Sequence, residues 1–321
     1  MGVHIDREQP GWYYRLSQYF RRKFGHPVHK IPLDAGLSCP NRDGTIGRGG
    51  CSYCYNPSFS PNINNINNPA DPLSINEQLQ RGMKKRSEAK YLAYFQSYTN
   101  TYAPLNQLKE LYDEALGNPA VIGLSIATRP DCITEEILEL IEKYAKGCHV
   151  WVEYGLQSAH DRTLNQINRG HDAASFESAV KITRGRNISI CAHIILGLPG
   201  ETRAMIMETI SFLNHLGVDG VKFHHLQIIT GTPLAGQYAR GELSVYEKEE
   251  DYIPILCDCL EHLAPHVVIH RLASQATSKD LLIAPHWTMG AGQIASLVES
   301  ELKKRGTYQG YRTSKASDQP G

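Results

Sequence analysis

The chain lacks any run near the roughly eighteen consecutive apolar residues that a membrane-spanning helix needs. It also lacks an excess of either charge, with 33 Lys and Arg against 33 Asp and Glu. The first absence argues against a membrane partner; the second removes any strong overall field toward nucleic acid or an anionic lipid surface. The opening MGVHIDREQPGWYY has neither the charged nor the apolar region of a secretory signal, so the expected compartment is the cytoplasm. Cysteine is sparse, eight in 321 residues, too few for a disulfide scaffold. Cys132, Cys148, Cys191, Cys257 and Cys259 are scattered through apolar or helical surroundings and read as small buried side chains.

What is present is a repeated alternation. Short β-branched or aromatic runs begin at His29, Tyr91, Val121, His149, Ile188 and Gly220, six predicted strands. Helical patterns fall between them: SINEQLQRGMKKRSEAK, NQLKELYDEAL, TEEILELIEKYA, DAASFESAVKITR and ETRAMIMETISFLNHLG. Thr134 before Glu135 and Glu136 is an N-cap, and Gly117 and Gly217 are placed to end helices. Strand and helix in strict alternation predict parallel strands with right-handed crossovers. The expected fold is α/β, an incomplete (β/α)6 TIM-type barrel, with an open doubly wound sheet as the competing architecture. Residues 1–28 form a basic and aromatic N-terminal segment, 29–235 the core, and 236–321 a helical C-terminal extension. The stretch PNINNINNPADP reads as a loop and the final TSKASDQPG as a disordered tail.

The chemistry concentrates in one loop. Cys39 and Cys51 are separated by PNRDGTIGRGG, and Cys51 and Cys54 by two residues. A CxxC pair is half of a zinc site, but a structural zinc wants four protein ligands and no second CxxC or HxxxH lies nearby. Three thiolates and a vacancy suit a four-iron cluster with one iron open. Gly44, Gly47, Gly49 and Gly50 allow a tight loop whose N–H groups could face the cluster sulfides. The loop follows the first predicted strand, at the end of a parallel barrel where active sites sit.

That loop, with Tyr53 before the last cysteine, resembles the cluster loop of radical S-adenosylmethionine (SAM) enzymes in an expanded form. With YFQSYTNTYAP, ATRPDC, WVEYGLQS, NRGHD and ILGLPGET, the chain resembles the YhcC-like family, related to the radical SAM domain of the Elongator catalytic subunit. The resemblance implies that Cys39, Cys51 and Cys54 hold a 4Fe-4S cluster whose fourth iron chelates SAM. It implies that Tyr53 packs beside the adenine and that Gln96 meets the methionine amine. Gln157 and Arg169 match positions used for ribose and carboxylate, and the turn at Gly197 and Leu198 matches one against the adenine. Two departures stand out: Ala127 replaces a usual Glu before TRPD, and His193 replaces an acidic ribose contact, leaving Ser125, Glu153 or His193 to meet the hydroxyls.

The resemblance further implies reductive cleavage of SAM by an external one-electron donor such as flavodoxin or ferredoxin, followed by hydrogen abstraction from a substrate. A modified wobble uridine of tRNA is the expected substrate, with Arg15, Arg21, Arg22, Lys23, Lys303, Lys304 and Arg305 as phosphate contacts. A solvated helix face is the plainer reading of both basic clusters. The alternatives are a radical SAM enzyme acting on a small metabolite, and a non-enzymatic zinc- or cluster-binding module. His224 and His225 are adjacent in a predicted strand, so one should face the barrel and the other the helices.

Overall fold

The structure, a computed structural model, describes residues 11–58, 60, 73–83, 89–274 and 280–316. The Asn-rich loop from Pro61 and the last five residues of the expected tail lie outside the described residues, as does part of the helix expected to run on past Met83. Along the chain come α1 (Leu16–Phe24), β1 (Val28–Leu33), α2 (Pro40–Asp43), α3 (Ile75–Gly82), β2 (Lys90–Phe95), α4 (Leu105–Leu116) and β3 (Val121–Thr128). Next are α5 (Glu135–Ala145), β4 (His149–Gln157), α6 (Asp161–Gln166), α7 (Ala173–Thr183), β5 (Ser189–Leu196), α8 (Arg203–Leu216) and β6 (Gly220–His225). β7 (Ile228–Ile229), α9 (Pro233–Ala239), α10 (Glu249–His262), β8 (Val268–Arg271), β9 (Leu282–Ala284), α11 (Ala291–Arg305) and α12 (Tyr311–Ala316) complete the α-helices and strands among the described residues.

The main sheet has seven strands in the order β1-β2-β3-β4-β5-β6-β8, and every pairing in it is parallel. It is the expected incomplete barrel with one strand more than the six predicted. The additional strand, β8, is four residues long and follows two helices, where the alternation has lapsed. A second difference is at the C-terminus, where α12 takes in the start of the expected disordered tail, with Arg312 Nε bonded to Glu261 of α10 at 2.8 Å. The predicted cap at Thr134 is present, its hydroxyl accepting the Ile137 N–H, and Gly217 ends α8 in the left-handed conformation.

Period-two alternation sorts each strand into an outer apolar and an inner polar face. Ile31, Leu33, Phe95, Leu124, Ile126, Val152, Tyr154, Ile194, Leu196, Val221 and Phe223 join the large core against the helices. Phe20 of α1 packs with Val28, Leu92, Trp151, Cys191 and Val268, closing the end where the strands begin. Above that plug lie Lys30, Tyr94, Ser125, Glu153, His193 and Lys222, a polar layer inside the barrel. In a flat sheet the edge strands β1 and β8 would stand roughly 29 Å apart, six strand spacings. Lys30 of β1 and His270 of β8 instead meet at 3.2 Å, so the sheet is strongly curled.

Candidate active site

The cysteine loop leaves the C-terminal end of β1. Cys39 precedes α2 in extended backbone, Pro40 sits in its first turn, and Gly44 ends it with φ +99°. The loop is tied to itself: Gly44 N–H donates to Gly47 O at 3.1 Å, Gly47 N–H to Pro40 O at 3.2 Å, and Gly50 N–H to Asn41 O at 2.8 Å. These three N–H groups, expected to face cluster sulfides, are therefore engaged within the loop. Gly47 is needed for space, since a Cβ there would lie 2.5 Å from Asn41 Oδ1. Asn41 Nδ2 in turn donates to Asn168 O at 2.7 Å, Asn168 Nδ2 to Gly50 O at 2.8 Å, and Ser52 N–H to Ile167 O at 2.8 Å. The NRGHD block thus fastens the loop to the barrel.

All eight cysteines are free thiols. Burial pushes the Cys51 thiol up, but Arg169 Nη1 at 3.5 Å and Asn41 Nδ2 at 3.6 Å from its sulfur outweigh that and leave it below its ordinary value. Cys54 is pushed up to about 11 by burial and by Cys51, with Arg42 opposing. Arg42 also donates to the Cys54 carbonyl. Cys39 and Cys54 line a cavity of about 470 Å³ inside the barrel, with Cys51 buried behind Arg169.

Of the residues assigned to SAM, Tyr53, Gln96, Glu153, Gln157, Arg169 and His193 line this cavity, whereas Ser125, Gly197 and Leu198 do not. Gly197, at φ +87°, packs under the Tyr246 ring, and Leu198 shares a small apolar cluster with Tyr53. Gln157 holds φ +75°, costly for a residue with a Cβ and characteristic of functional positions. Arg169 Nη2 donates to Gly155 O at 2.7 Å and Nη1 points at Cys51, so the fork expected to grip a carboxylate is engaged. Its Nε is buried without a partner.

Glu153 is the hub of the polar layer. Oε1 accepts from Lys30 Nζ and from Ser125 Oγ at 2.5 Å; Oε2 accepts from His193 Nε2 at 2.6 Å and Lys222 Nζ at 3.2 Å. Four donors exhaust a carboxylate's acceptor sites. Of the three residues expected to meet SAM hydroxyls, Ser125 is wholly buried against Glu153, Glu153 is engaged by these four donors, and His193 lines the cavity. Burial works to raise the Glu153 carboxyl, yet Lys222 and Lys30, with the hydrogen bond from His193, hold it well below the usual carboxylate range. Burial lowers Lys222 to about 7 against the pull of Glu153, and lowers His193 to about 4. Sequence reasoning missed Lys30, Lys222, Asn41 and Arg42. The available signal was a lysine at an inward position of the otherwise apolar strands HKIPL and GVKFHH.

His224 and His225 both line the cavity; His224 Nδ1 is 3.0 Å from Ser274 Oγ, and the His225 ring stacks on Trp287 at 3.8 Å and meets Tyr252 of α10 edge-on. Three of the seven residues in the basic clusters have acidic partners among the described residues. Arg305 bonds Asp258 at 2.9 Å, Glu261 at 3.1 Å and Glu301 at 2.8 Å; Arg15 pairs with Glu299, and Lys304 lies 3.8 Å from Glu301. Arg305 braces α10 against α11.

Three thiols from one loop, a guanidinium against the Cys51 sulfur and an unpartnered buried Nε fit an anionic thiolate-held cluster with a carboxylate-bearing ligand beside it. A family model described as the Radical SAM superfamily matches residues 43–213, and one described as the Radical_SAM C-terminal domain matches 218–304. YtqA of Bacillus subtilis is 38% identical over 300 residues, covering 93% of this chain and 92% of its own. YhcC of Escherichia coli is 40% identical over 267 residues, covering 83% and 84%. A shorter match, 29% identical over 134 residues, covers 40% of this chain and 24% of a tRNA uridine(34) acetyltransferase of Methanocaldococcus infernus. Among solved structures, Elp3 of M. infernus superposes with a TM-score of 0.60 at 17% identity, covering 92% of this chain and 68% of that one.

Proposed function

The chain belongs to the radical SAM superfamily, in the family of YhcC and YtqA, and from that membership we propose that it acts on a modified wobble uridine of tRNA. Enzymes of this superfamily use a 4Fe-4S cluster and SAM, which when bound supply one-electron cleavage of a carbon–sulfur bond and hydrogen abstraction from an unactivated carbon. Cys39, Cys51 and Cys54 would hold the cluster. The remaining work falls to this chain's residues. Arg42 fixes the Cys54 backbone, Arg169 balances the charge of the Cys51 thiolate, and Arg169 Nε with Gln96, Gln157 and Tyr53 would orient SAM in the cavity. The apolar cluster around Trp151 packs under the polar layer where the strands begin, and the central cavity lies above it beside the cysteine loop.

The observation that carries the reading is the thiol loop beside the central cavity lined by Tyr53, Gln96, Gln157 and Arg169. Support for tRNA comes from the partial likeness to the uridine(34) acetyltransferase. The test is to incubate the reconstituted protein, SAM and a reductant with undermodified tRNA and follow wobble nucleosides by mass spectrometry. A mass change at the wobble uridine supports the reading; stimulated SAM cleavage without RNA and no nucleoside change would overturn it. A radical reaction on a small metabolite is the second reading, favoured by the zero net charge and by the committed state of Arg15 and Arg305. An RNA-binding titration separates the two.

A further inference from the structure

Away from the cysteines the cavity wall carries more positive charge than its acid can match. Lys222 of β6 and Arg271 of β8 are register partners on neighbouring strands, and both line the central cavity. Both also line a second cavity of about 320 Å³ between α1 and the edge strands. Like charges at facing strand positions repel. The carboxylate within reach, Glu153, is already shared by Lys30 and Lys222, and Arg271 makes no ion pair among the described residues. The neighbouring His193, His224 and His270 are held below their ordinary values, by burial first, so they stay neutral and offset nothing. Arg271 is a cation without an acid, and beside it Lys222, lowered to about 7 by burial, gains its full charge when an anion joins the pair; together they are a field awaiting an anion.

We propose that Lys222 and Arg271 form an anion subsite that receives a carboxylate or phosphate group of the substrate at the base of the central cavity. This rests on the reading that the cavity is the substrate's chamber, and is independent of the substrate being tRNA. Arg271 would supply the two-point hydrogen bonding of its guanidinium and Lys222 a point charge.

The test uses the protein with its oxidised cluster assembled, titrated at constant ionic strength with acetate and, separately, with inorganic phosphate, while the ring resonances of His193 and His224 are followed by NMR. Saturable shifts are expected, and the tighter of the two anions identifies the group as carboxylate or phosphate. Arg271→Gln should weaken that binding by about tenfold or more, the worth of one charge-assisted hydrogen bond, and Arg271→Lys should restore part of it. Lys222→Gln serves as a second variant should Arg271→Gln fail to fold. The absence of saturable shifts in the unaltered protein, or anion binding by folded Arg271→Gln equal to that of the unaltered protein, would overturn the subsite. Saturable binding lost on substitution, with no response to tRNA, would uphold the subsite and remove only the tRNA reading.

Discussion

At the scale of single residues, Glu153 and Gly155 show how one stretch of β4 serves both the fold and the site. Glu153→Ala strands Lys30 and Lys222 in the barrel without their acid, and should cost about 3–5 kcal/mol of stability by urea unfolding. Gly155 leaves room for Arg169: a Cβ there would lie 2.7 Å from Arg169 Nη2, which is itself bonded to Gly155 O. Gly155→Ala should leave the barrel folded but displace that guanidinium, lowering iron retained on reconstitution and reducing SAM cleavage about 100-fold, the usual effect of a misplacement near 1 Å. Spacing made the cysteines legible in the sequence. The part of Glu153 was not, because a strand pattern says which residues face inward but not how many donors converge on an acid from strands far apart in the chain.

Helices and strands were legible where period and caps agreed, as at α5 and α8, and illegible where an element was short. β8 enters the sheet on pairing with β6 and on the Ile269 N–H bond to Tyr14 O at 2.8 Å, neither of which has a local signature. The basic cluster that ends helix α11 includes the brace on α10: Arg305 reaches Asp258 and Glu261, both buried. Arg305→Ala should therefore lower stability by about 3 kcal/mol while leaving the salt dependence of RNA binding unchanged. A large drop in RNA affinity with unchanged unfolding would reverse that assignment. The sequence supplied the charge; only packing shows what it faces.

For the molecule as a whole, the barrel holds an unusual number of neutral histidines. Burial lowers His149, His225 and His270 to about 3 and His193 to about 4, against 6.5 when exposed. Between those values the unfolded chain binds more protons than the folded one, so stability falls as pH drops below about 6.5, before most carboxylates titrate. Melting temperature should decline over that interval, and a flat profile from pH 6.5 to 5 would contradict the buried placement of these rings. The central claim, that Cys39, Cys51 and Cys54 support radical SAM chemistry, is tested most directly by anaerobic reconstitution with iron and sulfide, addition of SAM, dithionite and undermodified tRNA, and chromatography for 5′-deoxyadenosine. The account predicts its formation by the unaltered chain and none by Cys54→Ala; cleavage retained by Cys54→Ala, or none from the unaltered chain carrying an intact four-iron cluster, would contradict it.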